Sequence, residues 1–309
     1  MRHGDEPGTG HAGRYLLALI LAVLLALGAA MPVFAAEEPA GEDEAIFQPQ
    51  VVGGEPVPDG KYPFMVSIQA DTSNARPYRE HFCGGTLIDP DSVLTAAHCA
   101  DEIGAANTPA TVSFRDIHLA IGVTELNTRQ GVARGISRLA DVRIHPLFDE
   151  RTRKYDAAVI QLDAPVNLNP IASAPEEEGD ILERPRTNGV VAGWGNTIKQ
   201  GAELSQRDRF PERLQRGTPP IVSDRKAERA YGRLYFSPLM VAAGQTGEDT
   251  CQGDSGGPLW VRTEAGKRQI GIIKFGLGCG KRGKRGYPGV YTEANNPSIS
   301  TFIDGAAEN

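Results

Sequence analysis

The sequence predicts an all-β protein, and three observations carry that expectation. The 309 residues include 36 Gly and 22 Pro but only 6% Phe, Trp and Tyr, a composition suited to many turns and few long helices. From Lys61 onward, short apolar runs alternate with Gly, Pro, Asn and Asp clusters. Phe64–Ile68, Thr86–Ile88, Val112–Phe114, Val142–Ile144, Val159–Leu162, Val190–Ala192 and Gln269–Ile273 have the length and β-branching of strands. So many short strands bury their faces only in a sandwich or in barrels.

In chain order, residues 1–14 are polar and carry Arg2 and Arg14, and Tyr15 to Ala36 then runs 22 residues without a charge. A basic flank, an apolar stretch and small residues at Val33 and Ala35 read as a signal peptide over 1–35. The same run, residues 15–36, is long enough to serve instead as an uncleaved membrane anchor. Residues 36–50 are acidic and contain Pro, the composition of a segment that does not fold alone. The formal charge of −7 is concentrated early, since residues 1–50 contribute −5. The rest is nearly balanced, and nothing in it suggests nucleic acid or a broadly anionic membrane as a partner. Residues 163–175 carry three prolines and read as a linker between two halves.

The chemistry gathers in Asp249-Thr-Cys-Gln-Gly-Asp-Ser-Gly-Gly-Pro258. Glycines beside Ser255 let backbone N–H groups approach a substrate carbonyl and stabilise an oxyanion. A serine hydroxyl is a weak nucleophile and needs a neighbouring base. The chain offers His98 in Leu94-Thr-Ala-Ala-His-Cys99 and Asp156 in Tyr155-Asp-Ala-Ala-Val-Ile-Gln-Leu162. All four cysteines lie beyond residue 80. Three pairings are open to them and spacing does not choose among these. No C-x-x-C pair suggests a metal site.

These three segments, in the order His, Asp, Ser, resemble the trypsin/chymotrypsin family of serine endopeptidases. Val51-Val-Gly-Gly54, Cys83-Gly-Gly-Thr-Leu-Ile88, Ala192-Gly-Trp-Gly-Asn-Thr197 and Pro288-Gly-Val-Tyr291 extend the resemblance over residues 51 to about 304. The resemblance implies two six-stranded antiparallel β-barrels, over 51–165 and 166–309, with a short C-terminal helix at Asn295–Ile303. It implies that Ser255 attacks the scissile carbonyl, His98 moves the proton, and Asp156 orients the imidazole. The oxyanion would rest on the N–H groups of Gly253 and Ser255. Cys83 would pair with Cys99, and Cys251 with Cys279. Asp249 would sit at the base of a pocket lined by Gly276 and Gly289, where a carboxylate demands an Arg or Lys side chain.

The resemblance also makes residues 36–50 a propeptide. Cleavage of Gln50–Val51 would free an amine to pair with Asp254. No Lys or Arg lies between Arg14 and that bond, so a separate protease is expected to activate the chain. The implied partners are protein or peptide substrates with Arg or Lys, and protein inhibitors. No cofactor or metal is implied, and the expected location is extracellular.

Four departures stand out. Lys274 occupies a position where the family has serine, close to the expected aspartate, and either reaches Asp156 or turns to solvent. If it competes for Asp156, the chain is a catalytically weak homologue acting as a binding module. Phe275 replaces a tryptophan, a mild change. Ala227 and Ala242 stand where many animal members have a disulfide. The basic run Lys281–Arg285 reads as a solvated loop, with an acidic exosite or self-cleavage point as alternatives. His81, His118 and His145 lack a partner motif and read as structural.

Overall fold

The computed structural model describes residues 54–70, 81–103, 117–127, 132–135, 141–196, 210–244, 253–276 and 287–308. All belong to one unit, Gln48–Asn309; the other unit, Met1–Phe47, lies outside the described residues. The expected strand Val112–Phe114 and loop Lys281–Arg285 lie outside them as well.

Two sheets account for the strands among the described residues. The first comprises β2 (Met65–Ala70), β3 (His81–Asp89), β4 (Ser92–Thr95), β5 (Ile117–Ile121), β6 (Val132–Gly135), β7 (Val142–Ile144) and β8 (Ala158–Gln161). Its order is β6-β5-β2-β3-β4-β8-β7, antiparallel throughout. The second comprises β1 (Glu55–Pro56), β9 (Ala172–Ser173), β10 (Val190–Gly193), β11 (Gln215–Gly217), β12 (Ile221–Val222), β13 (Met240–Ala243), β14 (Pro258–Thr263), β15 (Gly266–Phe275) and β16 (Gly289–Glu293). Its order is β1-β11-β10-β14-β15-β16-β13-β12, with β9 parallel to β15. The all-β, two-sheet architecture is the one expected of a chymotrypsin-like protein. Among the described residues the first sheet has seven strands and the second nine, where six each were expected; in the second, β1, β9 and β12 have only two residues each. Glu55 and Pro56, although they form the first described strand, pair with Arg216 and Gln215 at the edge of the second sheet.

Most runs that alternate with turn residues became strands close to their expected limits; Val142–Ile144 matches residue for residue. β3 extends well before Thr86 because Gly84 and Gly85 lie within a ladder to β2, not at a break. Residues of β2 are buried on both faces, Ser67 and Gln69 included. Two polar side chains buried in a strand need internal partners, and theirs lie at the site described below. The junction between the sheets is aromatic. Tyr62 and Phe64 meet Trp260 edge-on, with ring centroids 5.0 and 5.5 Å apart.

Among the described residues four short α-helices complete the body: α1 (Ala97–Asp101), α2 (Gly179–Leu182), α3 (Asp224–Tyr231) and α4 (Pro297–Ala307). The last begins as capping rules dictate. The Asn296 side chain accepts from the N–H groups of Ser298 and Ile299, and Pro297 takes the first turn. Ile299, Ile303 and Ala306 form its buried stripe, so it continues four residues past the expected end at Ile303. His145 fastens it: Leu147 N–H donates to Nδ1, so Nε2 carries the proton and donates to the Ser298 carbonyl at 3.2 Å. Ala227 and Ala242 are both fully buried in one apolar cluster with Tyr231 and Val290, so packing joins α3 to β13 where a disulfide is missing.

Candidate active site

His98 owes its place to a run of small residues. β4 ends at Thr95, Ala96 is extended, and α1 starts at Ala97. Ala96 and Ala97 are fully buried and leave room for Asp156, which begins the segment leading into β8. Tyr155 turns the chain there with φ 54°, a left-handed conformation uncommon for a side chain of that size. Asp156 is wholly buried. Its Oδ1 accepts the His98 backbone N–H at 2.9 Å and its Oδ2 meets His98 Nδ1 at 2.8 Å. A carboxylate only accepts, so Nδ1 carries the proton and Nε2 is left as the basic nitrogen. The Cys83–Cys99 disulfide, Cα to Cα 6.2 Å, ties α1 to β3. Cys83, His98 and Cys99 are the one group of potential metal ligands that converges among the described residues; with both sulfurs in the disulfide, no thiolate is available there.

The Ser255 segment rests directly on these strands. Gly84 N–H donates to the Ser255 carbonyl at 2.7 Å, and Cys99 Sγ lies 3.6 Å from the same oxygen. Gly256 has φ +82°, and a Cβ there would strike Thr95 Oγ1 and the Gly84 carbonyl. Only glycine meets both demands. The next element locks in from the far side: Gly256 N–H donates to the Ile273 carbonyl and Ile273 N–H to the Gly257 carbonyl, both at 2.8 Å. Ser255, half-buried, is thus held between the turn that carries His98 and strand β15.

Asp254 points the other way. It is 1% exposed and accepts the Gly195 N–H at 2.9 Å, so close that a Cβ on Gly193 or Gly195 would collide with its carboxylate. Gly253 is held by a residue that sequence reasoning read as merely structural. His81 Nε2 lies 2.9 Å from the Gly253 carbonyl and Nδ1 lies 2.8 Å from Ser67 Oγ. Since a carbonyl only accepts, Nε2 bears the proton, and the Ser67 hydroxyl donates to Nδ1. Gln69 Nε2 donates to Ser67 Oγ at 3.1 Å. Burial lowers the His81 pKa to about 4, so the ring is neutral under ordinary conditions. The available signal was the alternation of Ser67 and Gln69 through an otherwise apolar strand. His118 is exposed on β5, and His145 serves α4.

Lys274, left open between solvent and interior, is interior: it is 4% exposed. Burial pushes the Asp156 carboxyl upward, and the Lys274 and Arg153 cations, with the Ala97 N–H, oppose that. The implied pocket residues divide. Gly276 is exposed at the end of β15, and Gly289 is buried opposite Ala243 in β16. Asp249, Val51, Cys251 and Cys279 lie outside the described residues. A cavity of about 460 Å³ lies elsewhere, lined by Glu176, Asp180, Glu183, Asp224 and Glu293 among others, and shares no residue with the triad. Burial raises Glu183 to about 9 and Glu293 to about 7 there.

The family model described as Trypsin matches residues 51–303. A trypsin of Saccharopolyspora erythraea is 35% identical over 243 residues, 78% of this chain and 92% of that protein. A trypsin-like protease of Streptomyces glaucescens is 33% identical over 93% of this chain and 89% of its own length. Trypsin II-P29 of Gallus gallus is 31% identical over 89% of this chain and 93% of its own.

Proposed function

The chain belongs to the trypsin family of serine endopeptidases, and from that premise we propose that it is a secreted enzyme, made as a zymogen, that cleaves proteins after Arg and Lys. One observation carries the catalytic reading. A fully buried carboxylate, Asp156, binds both the backbone N–H and Nδ1 of His98, within a turn on which the Ser255 segment rests. Ser255 is the nucleophile. His98 Nε2 takes its proton as the hydroxyl oxygen bonds to the substrate carbonyl carbon, and returns the proton to the leaving amine. Asp156 fixes the tautomer and stabilises the imidazolium. The N–H groups of Gly253 and Ser255 receive the oxyanion. Water then hydrolyses the acyl-enzyme by the same route.

Arg/Lys preference rests on Asp249, six residues before Ser255, and on Gly276 and Gly289 as pocket walls without side chains. The names of the bacterial and avian relatives agree with it. The zymogen reading rests on the acidic segment 36–50 and on Asp254, whose carboxylate is buried and would receive the Val51 amine after a separate protease cuts Gln50–Val51. Secretion rests on residues 1–35 and on the Cys83–Cys99 disulfide, which needs an oxidising compartment. No helix among the described residues is long and apolar enough to cross a membrane.

The test pairs a fluorophosphonate label with a P1-varied peptide library. The processed enzyme should be labelled at Ser255 and should cleave after Arg and Lys. Turnover with an acidic or apolar P1 preference would overturn the Asp249 assignment; labelling elsewhere, or none with no turnover, would overturn the triad.

A further inference from the structure

The peptidase reading gives Lys274 no task. Ile273, its neighbour, exchanges hydrogen bonds with the glycines that follow Ser255, so the strand cannot shift there. Opposite β16, Ile273 pairs with Tyr291 and Phe275 with Val290; two residues of β15 face one step of β16, and Lys274 is the extra one. Such a bulge re-aims a side chain out of the sheet's alternation. Here it buries it. Lys274 is 4% exposed, and its Nζ has no solvent contact and no hydrogen-bond acceptor among the described residues.

A buried ammonium without acceptors loses its proton or depends on a nearby anion. The charged groups that act on Lys274 are Asp156, which attracts, and Arg153 and Lys154, which repel. Arg153 acts on Asp156 as well. Burial prevails, and the Lys274 pKa falls to about 8. The anion it leans on is the same carboxylate that holds His98. One negative charge therefore serves two cations whenever His98 is protonated.

We propose that Lys274 is a positioning residue for the triad: acting through the shared Asp156 carboxylate, its charge weakens His98 as a base, so that hydrolysis reaches full rate only after Lys274 has lost its proton. During acylation the Ser255 proton moves to His98 and creates an imidazolium. A charged Lys274 repels that imidazolium and divides the stabilisation offered by Asp156. A neutral Lys274 does neither. A one-unit change in His98 basicity corresponds to about tenfold in rate when the ring is fully charged in the transition state. The proposal rests on the peptidase reading, deepens it by adding a second ionisation, and turns the departure at Lys274 from a defect into a pH control.

The experiment measures kcat and KM for an Arg anilide from pH 5 to 10, with the full chain processed at Gln50–Val51, in wild type, Lys274→Met and Lys274→Arg. Wild type should rise in two steps. Lys274→Met should rise in one step, with kcat near pH 7.5 about tenfold above wild type and KM within about twofold. Lys274→Arg, whose charge does not titrate, should stay at the lower level through pH 10. Alongside, nitrogen NMR of the His98 ring in the unprocessed full chain needs no turnover; its midpoint should move up by about one unit in Lys274→Met. Superimposable pH profiles for wild type and Lys274→Met, or a second rise retained in Lys274→Arg, would overturn the proposal. If Lys274→Met does not fold, the second rise in wild type and its absence in Lys274→Arg decide. A moved NMR midpoint with no turnover in wild type sinks the peptidase reading alone; normal turnover with unmoved profile and midpoint sinks the Lys274 proposal alone.

Discussion

Replacing His81 with phenylalanine keeps a ring in the β3 core but deletes both of its hydrogen bonds. The Gly253 carbonyl loses its donor at 2.9 Å and the Ser67 hydroxyl loses its acceptor at 2.8 Å, while Ser67 keeps Gln69. An unmet buried polar group costs about 1–3 kcal/mol, so at pH 7 the variant should be less stable by about 2–4 kcal/mol. The difference should then shrink in acid. Folded His81 titrates near 4, below the ordinary 6.5, so between those values the unfolded chain binds more protons. The wild-type contribution is complete above pH 6.5 and drains as pH falls toward 4, by on the order of 3 kcal/mol. His81→Phe has no such term. Urea unfolding at pH 7, 5.5 and 4.5, followed by tryptophan fluorescence, measures both curves; Trp194 is a fitting reporter, its ring centroid 5.8 Å from that of His81. A stability gap that stays constant from pH 7 to 4.5 would refute the argument. Turnover should fall with stability, by about ten- to a hundredfold in kcat, because Gly253 opens the segment proposed to hold the oxyanion.

Three further outcomes are expected. Asp156→Asn removes the acceptor that fixes the His98 tautomer and should lower kcat for an Arg ester by about 10⁴-fold, the loss known for this change in the serine-protease triad generally, with little change in KM. Replacing Cys83 and Cys99 together by alanine opens a loop of 16 residues, which should cost about 3 kcal/mol and lower Tm by about 6–12 °C in calorimetry. Glu183→Gln should act oppositely in base. The folded carboxyl titrates near 9, above its ordinary 4.5, so wild-type stability is complete below pH 4.5 and declines as pH rises toward 9; the glutamine variant should melt higher at pH 8.5 by at least about 1 kcal/mol equivalent and nearly the same at pH 5.

The parts of the site that could be read in advance are those whose chemistry is local. Ser255 sits among glycines because backbone must approach there, and His98 among alanines because Asp156 must fit behind it. Strands such as Val142–Ile144 announce themselves by branching and flanking turns. What escaped was relational. His81 acts through a carbonyl 172 residues away and a hydroxyl on the neighbouring strand, and nothing beside it in the chain names either. Lys274 could be flagged as a departure, but whether it faced solvent depended on the register slip between β15 and β16. The acidic cavity draws Glu176 and Asp180, Asp224, and Glu293 from separate elements, so no local run of residues shows it. β1 escaped for the same reason, since two residues have no periodicity and only β11 gives them a sheet.

That two-residue strand sets a distance. Glu55 is fastened by its pairing to Arg216 and by an ion pair between the two side chains, and Val57 N–H bonds the Leu214 carbonyl at 2.9 Å. If the proposed cut falls at Gln50–Val51, the new amine would lie four residues before that anchor, a leash of at most about 14 Å. Four residues of chain would confine that terminus to a small sphere about the edge of the second sheet, so on the proposed activation its local concentration would be high. Inserted glycines would dilute it, and would slow the proposed activation without touching the cleft.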